Sequence, residues 1–343
     1  MNSEQRAIFT SIGVTLRDFP ESIVLNYSKP PKLVMTLTQE AAGFSSPINM
    51  QDTRACFEAW CLIIKAKTSN PSLKIELDVK EDEDDITVAS YSGGRPANGH
   101  LGRFLYRILK FSEQYKDWFG LSQTLEALKD KFKYYLVLPG VKFVTSAPKN
   151  EPKKDIANCN LESYIEYLYC DSISAQKDIL NLPGETTIDR QLPVRLFEGS
   201  SGDGNEVFTR KKSAIDFWAL DGDTINVYEL KSDNPMVGII TEIFFYSNYV
   251  YDVFISKSMD HGKGCVKLED RTDRSYDKIK GKKVKGIMLS NSNRKGWHSS
   301  LDKSTRRKIT DIMNANGTAG IIQYMFLKYQ LNPLKIGGYY ISK

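Results

Sequence analysis

Apolar positions recur along this chain with two different periods, and the switches between them mark its elements. Ser22–Tyr27, Lys32–Thr38 and Leu73–Val79 (LKIELDV) are short β-rich or alternating runs and predict strands. The acidic turn EDEDD at 81–85 follows, then a further short strand at Ile86–Tyr91. Helical spacing governs Gln51–Lys65, where Ala55, Phe57, Trp60, Ile63 and Ile64 fall on one side. It returns at His100–Tyr115 and Ser122–Lys133, and the apolar stretch Tyr134–Val144 predicts extended chain.

Ser146–Asp155 (SAPKNEPKKD) carries two prolines, several charges and no apolar period, as a linker does. A boundary there divides the chain into an α+β domain at 1–147 and a second domain at 156–343. The second begins with a helix at Asn160–Leu180, with Leu161, Ile165 and Leu168 on one face. A strand at Gln191–Phe197 and a Gly/Ser-rich loop at Glu198–Lys212 come next. Strands at Ser213–Leu220 and Ile225–Leu230 are joined by the turn signal Asp221-Gly222-Asp223-Thr224. Asn234-Pro235 has the form of a helix start, Asn as cap and Pro in the first turn. A strand at Val284–Leu289, a helix at Leu301–Asn314 and a strand at Gly320–Leu327 complete the order.

The hairpin carries the candidate chemistry. Side chains alternate along a strand, so Glu229 and Lys231 share a face. With a four-residue loop Leu220 opposes Ile225 and Asp216 opposes Glu229; with a two-residue turn Asp216 opposes Val227. Either arrangement brings Asp216 to the face of Glu229 and Lys231. Apposed carboxylates repel, and a divalent cation relieves the conflict. Magnesium takes a few carboxylate oxygens together with waters and phosphate oxygens. Beside it, Lys231 would position or deprotonate an attacking water.

With Ile215-Asp216…Glu229-Leu230-Lys231, the segment Leu161–Leu327 resembles the PD-(D/E)XK, or restriction-endonuclease-like, superfamily. Ile215 stands where that family has proline. The resemblance implies an α/β fold with an αβββαβ core, a mixed sheet flanked by helices. It implies that Asp216 and Glu229 hold Mg²⁺, for which Mn²⁺ can substitute, and that Lys231 is the base that positions water. It further implies an acid from the first helix: Glu162, in LESYIEYL, is favoured over Glu166. Members with exonuclease activity often carry Gln-x-x-x-Tyr after the lysine strand; this chain has Glu242 and Tyr246. That pair would contact DNA or the metal shell, or Tyr246 would pack in the core.

Charge extends the picture. The net charge is +5. Between Lys278 and Lys308 basic residues dominate, Lys282, Lys283, Arg294, Lys295, Arg306 and Arg307 among them, and the sole acid is Asp302. Arg210, Lys211 and Lys212 precede the Asp216 strand. Such bias suits phosphate neutralisation, and Trp297 could stack on a base or be buried. The expected activity is DNA phosphodiester hydrolysis, endonuclease in form, with restriction or antiviral defence as a setting by analogy of fold. The alternative is a binding or assembly module without catalysis. A homodimer would suit double-strand cuts, and the N-terminal domain would serve recognition or a protein partner.

Several classes are excluded on composition. The chain has five cysteines and three histidines without zinc spacing or a disulfide framework. It has no Gly-x-x-x-x-Gly-Lys-Ser/Thr loop and no Gly-x-Ser-x-Gly elbow. No apolar run reaches bilayer length and no signal peptide is recognised, so a cytoplasmic protein is expected.

Overall fold

The computed structural model describes residues 1–29, 31–80, 90–145, 160–171, 188–200, 204–209, 214–232, 234–256, 258–259, 267–268, 279, 281–291, 296–316 and 320–329. Helix α1 (Ser3–Ser11) opens with a capping box: Asn2 Oδ1 accepts from the Gln5 N–H, and Gln5 Oε1 from the Asn2 N–H. Strands β1 (Val24–Lys29) and β2 (Lys32–Leu37) are antiparallel; helices α2 (Gln39–Ala42) and α3 (Phe57–Lys67) follow. Then come β3 (Lys74–Val79), the ribbon β4 (Tyr91–Ser92) and β5 (Arg95–Pro96), helix α4 (Gly99–Gln114), β6 (Phe119–Leu121) and helix α5 (Gln123–Leu136). The first sheet has the order β1-β2-β3-β6. Asn98 starts α4 by accepting from the His100 and Leu101 N–H groups, both at 2.9 Å.

After β7 (Phe143–Thr145) the chain forms α6 (Leu161–Asp171), β8 (Ile188–Pro193), β9 (Phe197–Glu198), β10 (Ala214–Asp221) and β11 (Thr224–Lys231). Helix α7 (Gly238–Val250) runs into a π-helical turn, Tyr251–Ile255. The remaining elements are β12 (Lys267–Leu268), β13 (Lys283–Asn291), α8 (Lys303–Asn316) and β14 (Ile322–Tyr329). The main sheet has the order β14-β13-β11-β10-β8. Strands β11, β13 and β14 are parallel, and β10 is antiparallel to both its neighbours. The protein is therefore of mixed α/β class, with mixed sheets flanked by helices. The inner parallel strands β11 and β13 are buried on both sides, which explains the near-continuous apolar run of β13, whereas edge strand β14 exposes Gln323 and Lys328.

Helix α7 packs on one face of this sheet. On the other, Ile165 of α6 meets Phe217, Tyr228, Leu230, Ile287 and Leu289, with the Phe217 and Tyr228 rings stacked at 4.4 Å. One hydrophobic core runs without a break from Phe9 and Trp60 through Phe104 and Phe111 to Phe244, Ile309 and Tyr324. Helix α3 contacts both α7 and α8. A buried ion pair crosses the same region: Arg107 Nε and Nη2 donate to Glu58 Oε1 and Oε2 at 2.7 and 2.6 Å. Thr241 Oγ1 donates to the same carboxylate at 3.0 Å, so α3, α4 and α7 are tied through Glu58. The linker at 146–155 lies outside the described residues, as do the acidic run 81–85, His261, Cys159 and Cys265. Cys56 and Cys61 are buried free thiols. Among the described residues no helix is long and apolar enough to cross a membrane.

Some element boundaries differ from expectation. Helix α3 begins at Phe57 rather than Gln51, because Asp52 draws residues 52–56 into turns: its side chain accepts from the Arg54 N–H and its carbonyl from those of Ala55 and Cys56. Helix α5 continues to Leu136 where extended chain is expected from Tyr134, since buried Leu128, Phe132 and Tyr135 prolong the helical stripe. Strand β8 begins earlier, at Ile188, and ends at Pro193, which has no N–H for the ladder. Helix α7 begins at Gly238 and not at Pro235; Asn234 and Met236 instead line a cavity. Helix α6 is described to Asp171; the remainder of the expected helix, to Leu180, lies outside the described residues, as does most of the strand expected at 86–91.

Candidate active site

The hairpin sets the geometry. Gly222 takes φ +58°, which glycine tolerates without a Cβ penalty, and the chain reverses through Gly222 and Asp223. The register pairs Asp221 with Thr224, Leu220 with Ile225 and Phe217 with Tyr228. This is the alignment in which Leu220 opposes Ile225, with one more pair than expected at the turn. Just beyond it, Asp216 Oδ2 accepts from the Leu230 N–H at 2.7 Å. Lys231 Nζ donates to Glu229 Oε1 at 2.6 Å, lies 3.0 Å from Glu242 Oε2, and donates to Gln51 Oε1 at 3.4 Å. The Asp-Glu-Lys triplet legible in the sequence is thus one cluster, and α7 adds Glu242 to it.

Helix α6 reaches the cluster with Glu162 and Glu166, in different ways. Glu162 Oε1 accepts from the Ser232 N–H at 3.1 Å, at the end of β11. Glu166 is buried and accepts from Gln191 Nε2 at 2.7 Å. Gln191 stands across from Asp216, at the one position the β8–β10 register omits, and holds φ at +55°, a conformation rare outside glycine. Of the two acids, Glu166 is the one whose charge acts on Asp216.

The crowding of acids controls their protonation. Burial, then the charge of Glu166, pushes the Asp216 carboxyl well above the ordinary carboxylate range, against Lys231 and the Leu230 N–H. Burial likewise raises Glu229, followed by Asp216 and Glu242. Burial opposes the Lys231 ammonium, but Glu229, Glu242 and Asp216 outweigh it and hold its pKa above the lysine range. Tyr246 is buried one turn along α7 from Glu242, and burial and Glu242 raise its pKa. Glu229 Oε2 is buried and accepts no hydrogen bond from any described residue. Among the described residues no three His, Cys, Asp or Glu side chains converge on one point. Lys231 draws Glu229 and Glu242 toward its own ammonium instead.

The N-terminal half builds part of this site, which the sequence pattern did not signal. Gln51 contacts Lys231 directly, and Asn49 and Gln51 line two cavities. One, about 350 Å³, is bounded by Glu162, Lys231 and Asn234; the other, about 680 Å³, by Glu242, Tyr246, His100 and Arg103. The approach is close: a Cβ on Gly238 would stand 2.1 Å from the Gln51 carbonyl oxygen. Gly238→Ala is expected to cost up to about 2 kcal/mol net, because overpacking of about 1–3 kcal/mol is offset in part by a helix-propensity gain of about 1 kcal/mol. Denaturant unfolding checks this; a stabilised variant would contradict the close packing.

The basic segments divide differently. Arg210, Lys211, Lys212, Arg294 and Lys295 lie outside the described residues. Lys282 and Lys283 are exposed, but Lys283 pairs with Thr224, at the opposite end of β11 from Lys231. Seven steps of about 3.3 Å put these ends roughly 23 Å apart. Arg307 is exposed on α8. Arg306 donates to the Leu301 carbonyl at 2.5 Å and lies 5.3 Å from the Trp297 ring. Trp297 is partly buried, with Phe326 at its ring edge (5.1 Å).

Comparison with protein-family models, curated proteins and solved structures finds no match.

Proposed function

We propose that the protein is a metal-dependent nuclease of PD-(D/E)XK type that hydrolyses DNA phosphodiesters. The observation that carries this reading is the meeting of Asp216, Glu229 and Lys231 with Glu242 and Glu166 at one end of the β10–β11 hairpin. The order α6, β8, β10, β11, α7, β13 supports a restriction-endonuclease-like core, since it runs α, β, β, β, α, β with a mixed sheet.

The side chains fit an oxygen-seeking divalent cation. The acids at the site are carboxylates, Glu229 Oε2 is buried without a donor among the described residues, and one lysine faces several acids. Asp216 and Glu229 would hold Mg²⁺ or Mn²⁺. When bound, the cation stabilises charge on phosphoryl oxygens and acidifies a water. Glu229 and Glu242 fix the Lys231 ammonium, which orients the attacking water and offsets charge developing on the phosphate. Glu242, in place of the family's glutamine, acts here through Lys231; Glu162 stands at the rim of the smaller cavity.

The raised carboxyl pKa values give a pH-dependent linkage. An acid raised on folding contributes stability below its ordinary value, about pH 4, and loses it as pH rises through the raised value. Binding of Mg²⁺ requires the ionised forms and reverses that loss. Saturating Mg²⁺ is therefore expected to raise Tm by a few degrees at pH 8 and by less at pH 5, read in thermal melts against EDTA. An equal shift at both pH values would count against binding at these carboxylates.

The activity is tested by incubating the full chain with supercoiled plasmid, linear duplex, single-stranded DNA and RNA in Mg²⁺, Mn²⁺ or EDTA. Metal-dependent cutting is expected, and the substrate that is cut separates endonuclease from exonuclease. Gel shifts that persist in EDTA with no cutting under any condition would favour the binding-module reading.

A further inference from the structure

Helix α4 carries two buried arginines one turn apart, and their surroundings differ. Arg107 uses Nε and Nη2, the side-on edge of its guanidinium, to grip both oxygens of Glu58. Arg103 is 7% exposed, yet the same two nitrogens have no hydrogen-bond partner among the described residues. Its guanidinium lies 5.5 Å from the Phe245 ring, and burial lowers its pKa to about 10. A buried cation without a hydrogen-bonded counterpart is costly, and a bound anion would offset that cost.

Arg103 lines the cavity of about 680 Å³ that also contains Glu242, the partner of Lys231. Thr209 Oγ1, on the same wall, is buried and likewise without a hydrogen-bond partner among the described residues. His100, Asn98 and Arg95 also contribute to the polar lining; Arg95 Nη1 donates to Asn205 Oδ1 at 3.2 Å. The cavity also holds Glu206, so it is not a uniformly basic surface but a walled pocket with one under-partnered guanidinium.

We infer that Arg103, with Thr209 beside it, forms an anion subsite for a backbone phosphate of the substrate strand next to the phosphate that is cut. The inference rests on the nuclease reading for the identity of its ligand. A guanidinium edge matches two phosphate oxygens, and a strand held there continues past Glu242 toward Lys231.

The test uses the full-length protein and short fluorescent single-stranded DNA, with and without a 5′-phosphate, by anisotropy in EDTA across a salt series, beside cleavage in Mg²⁺. Arg103→Met is expected to bind about tenfold more weakly and to lose close to one unit of salt slope, because one phosphate contact is gone. Its Tm is expected to hold or rise, since a buried charge with two unbonded nitrogens is removed. Arg103→Lys, which keeps charge without the fork, is expected to fall between. A defect confined to 5′-phosphorylated strands would make the occupant a terminal phosphate and overturn the internal position. Binding by Arg103→Met equal to that of the unaltered protein overturns the subsite even if cutting is observed. Arg103-dependent binding without any cutting supports the subsite and removes the nuclease reading. No binding by the unaltered protein overturns the subsite, and removes the nuclease reading with it only where cutting in Mg²⁺ is absent too.

Discussion

Asp216→Asn is expected to abolish metal-dependent strand cleavage, by about a thousandfold or more, without lowering the melting temperature in EDTA. The two halves of this expectation have one cause. The asparagine amide oxygen can still accept from the Leu230 N–H, so the link between β10 and β11 survives. What disappears is a negative charge that burial and Glu166 already disfavour. Losing it relieves repulsion in the cation-free protein and removes a ligand from the metal-bound one, the trade of stability against function common at active sites. Lys231→Ala is a poorer control, because it leaves Glu229 and Glu242 buried and uncompensated, and its inactivity would be confounded by instability. Cleavage time courses and thermal melts on the same preparation read both quantities. An Asp216→Asn protein that cuts at the normal rate, or one that melts several degrees lower in EDTA, would count against the assignment.

Arg107→Met is expected to cost about 3–5 kcal/mol, a large part of the stability of an ordinary domain. Glu58 is fully buried, and only Arg107 and Thr241 answer its carboxylate among the described residues. Removing the arginine strands that charge at the junction of α3, α4 and α7. The exposed pair Arg54–Asp52 sets the contrast, since surface pairs contribute about 0–1 kcal/mol. Replacing both Glu58 and Arg107 with apolar residues is expected to recover most of the loss. Denaturant unfolding measures it. Because Thr241 of α7 donates to the same Glu58 carboxylate and so links the two halves, the destabilisation should appear in one cooperative transition. A loss below about 1 kcal/mol would mean that the pair does not hold the junction.

The Asp216, Glu229 and Lys231 triplet was legible because a hairpin is a local object. Strand alternation and the Asp221–Thr224 turn determine which side chains meet, and neither depends on distant chain. Glu242 and the α6 acids were legible as candidates, but not their division of labour. Sequence spacing does not reveal that Glu242 neutralises Lys231, or that Glu166, rather than Glu162, acts on Asp216. Gln51 was not legible at all: its contact with Lys231 spans 180 residues and follows from the packing of Gly238 against its carbonyl. Arg103 and Arg107 did leave a signal, two charges on the apolar face of the helix at His100–Tyr115, and buried charges of that kind point to a partner or a ligand. The basic run shows the opposite failure. Lys282 and Lys283 are near other lysines in sequence, but the parallel register carries them to the end of β11 away from the acids.

The claim on which all of this depends is that the carboxylates at the end of the hairpin hold a divalent cation. Titrating Mn²⁺ into the unaltered protein and into Asp216→Asn at pH 8, with the free ion followed by electron paramagnetic resonance, tests it most directly. At least one tight site in the unaltered protein, lost in the variant, is the predicted result. Equal uptake by both proteins, or none by either, would contradict the metal centre.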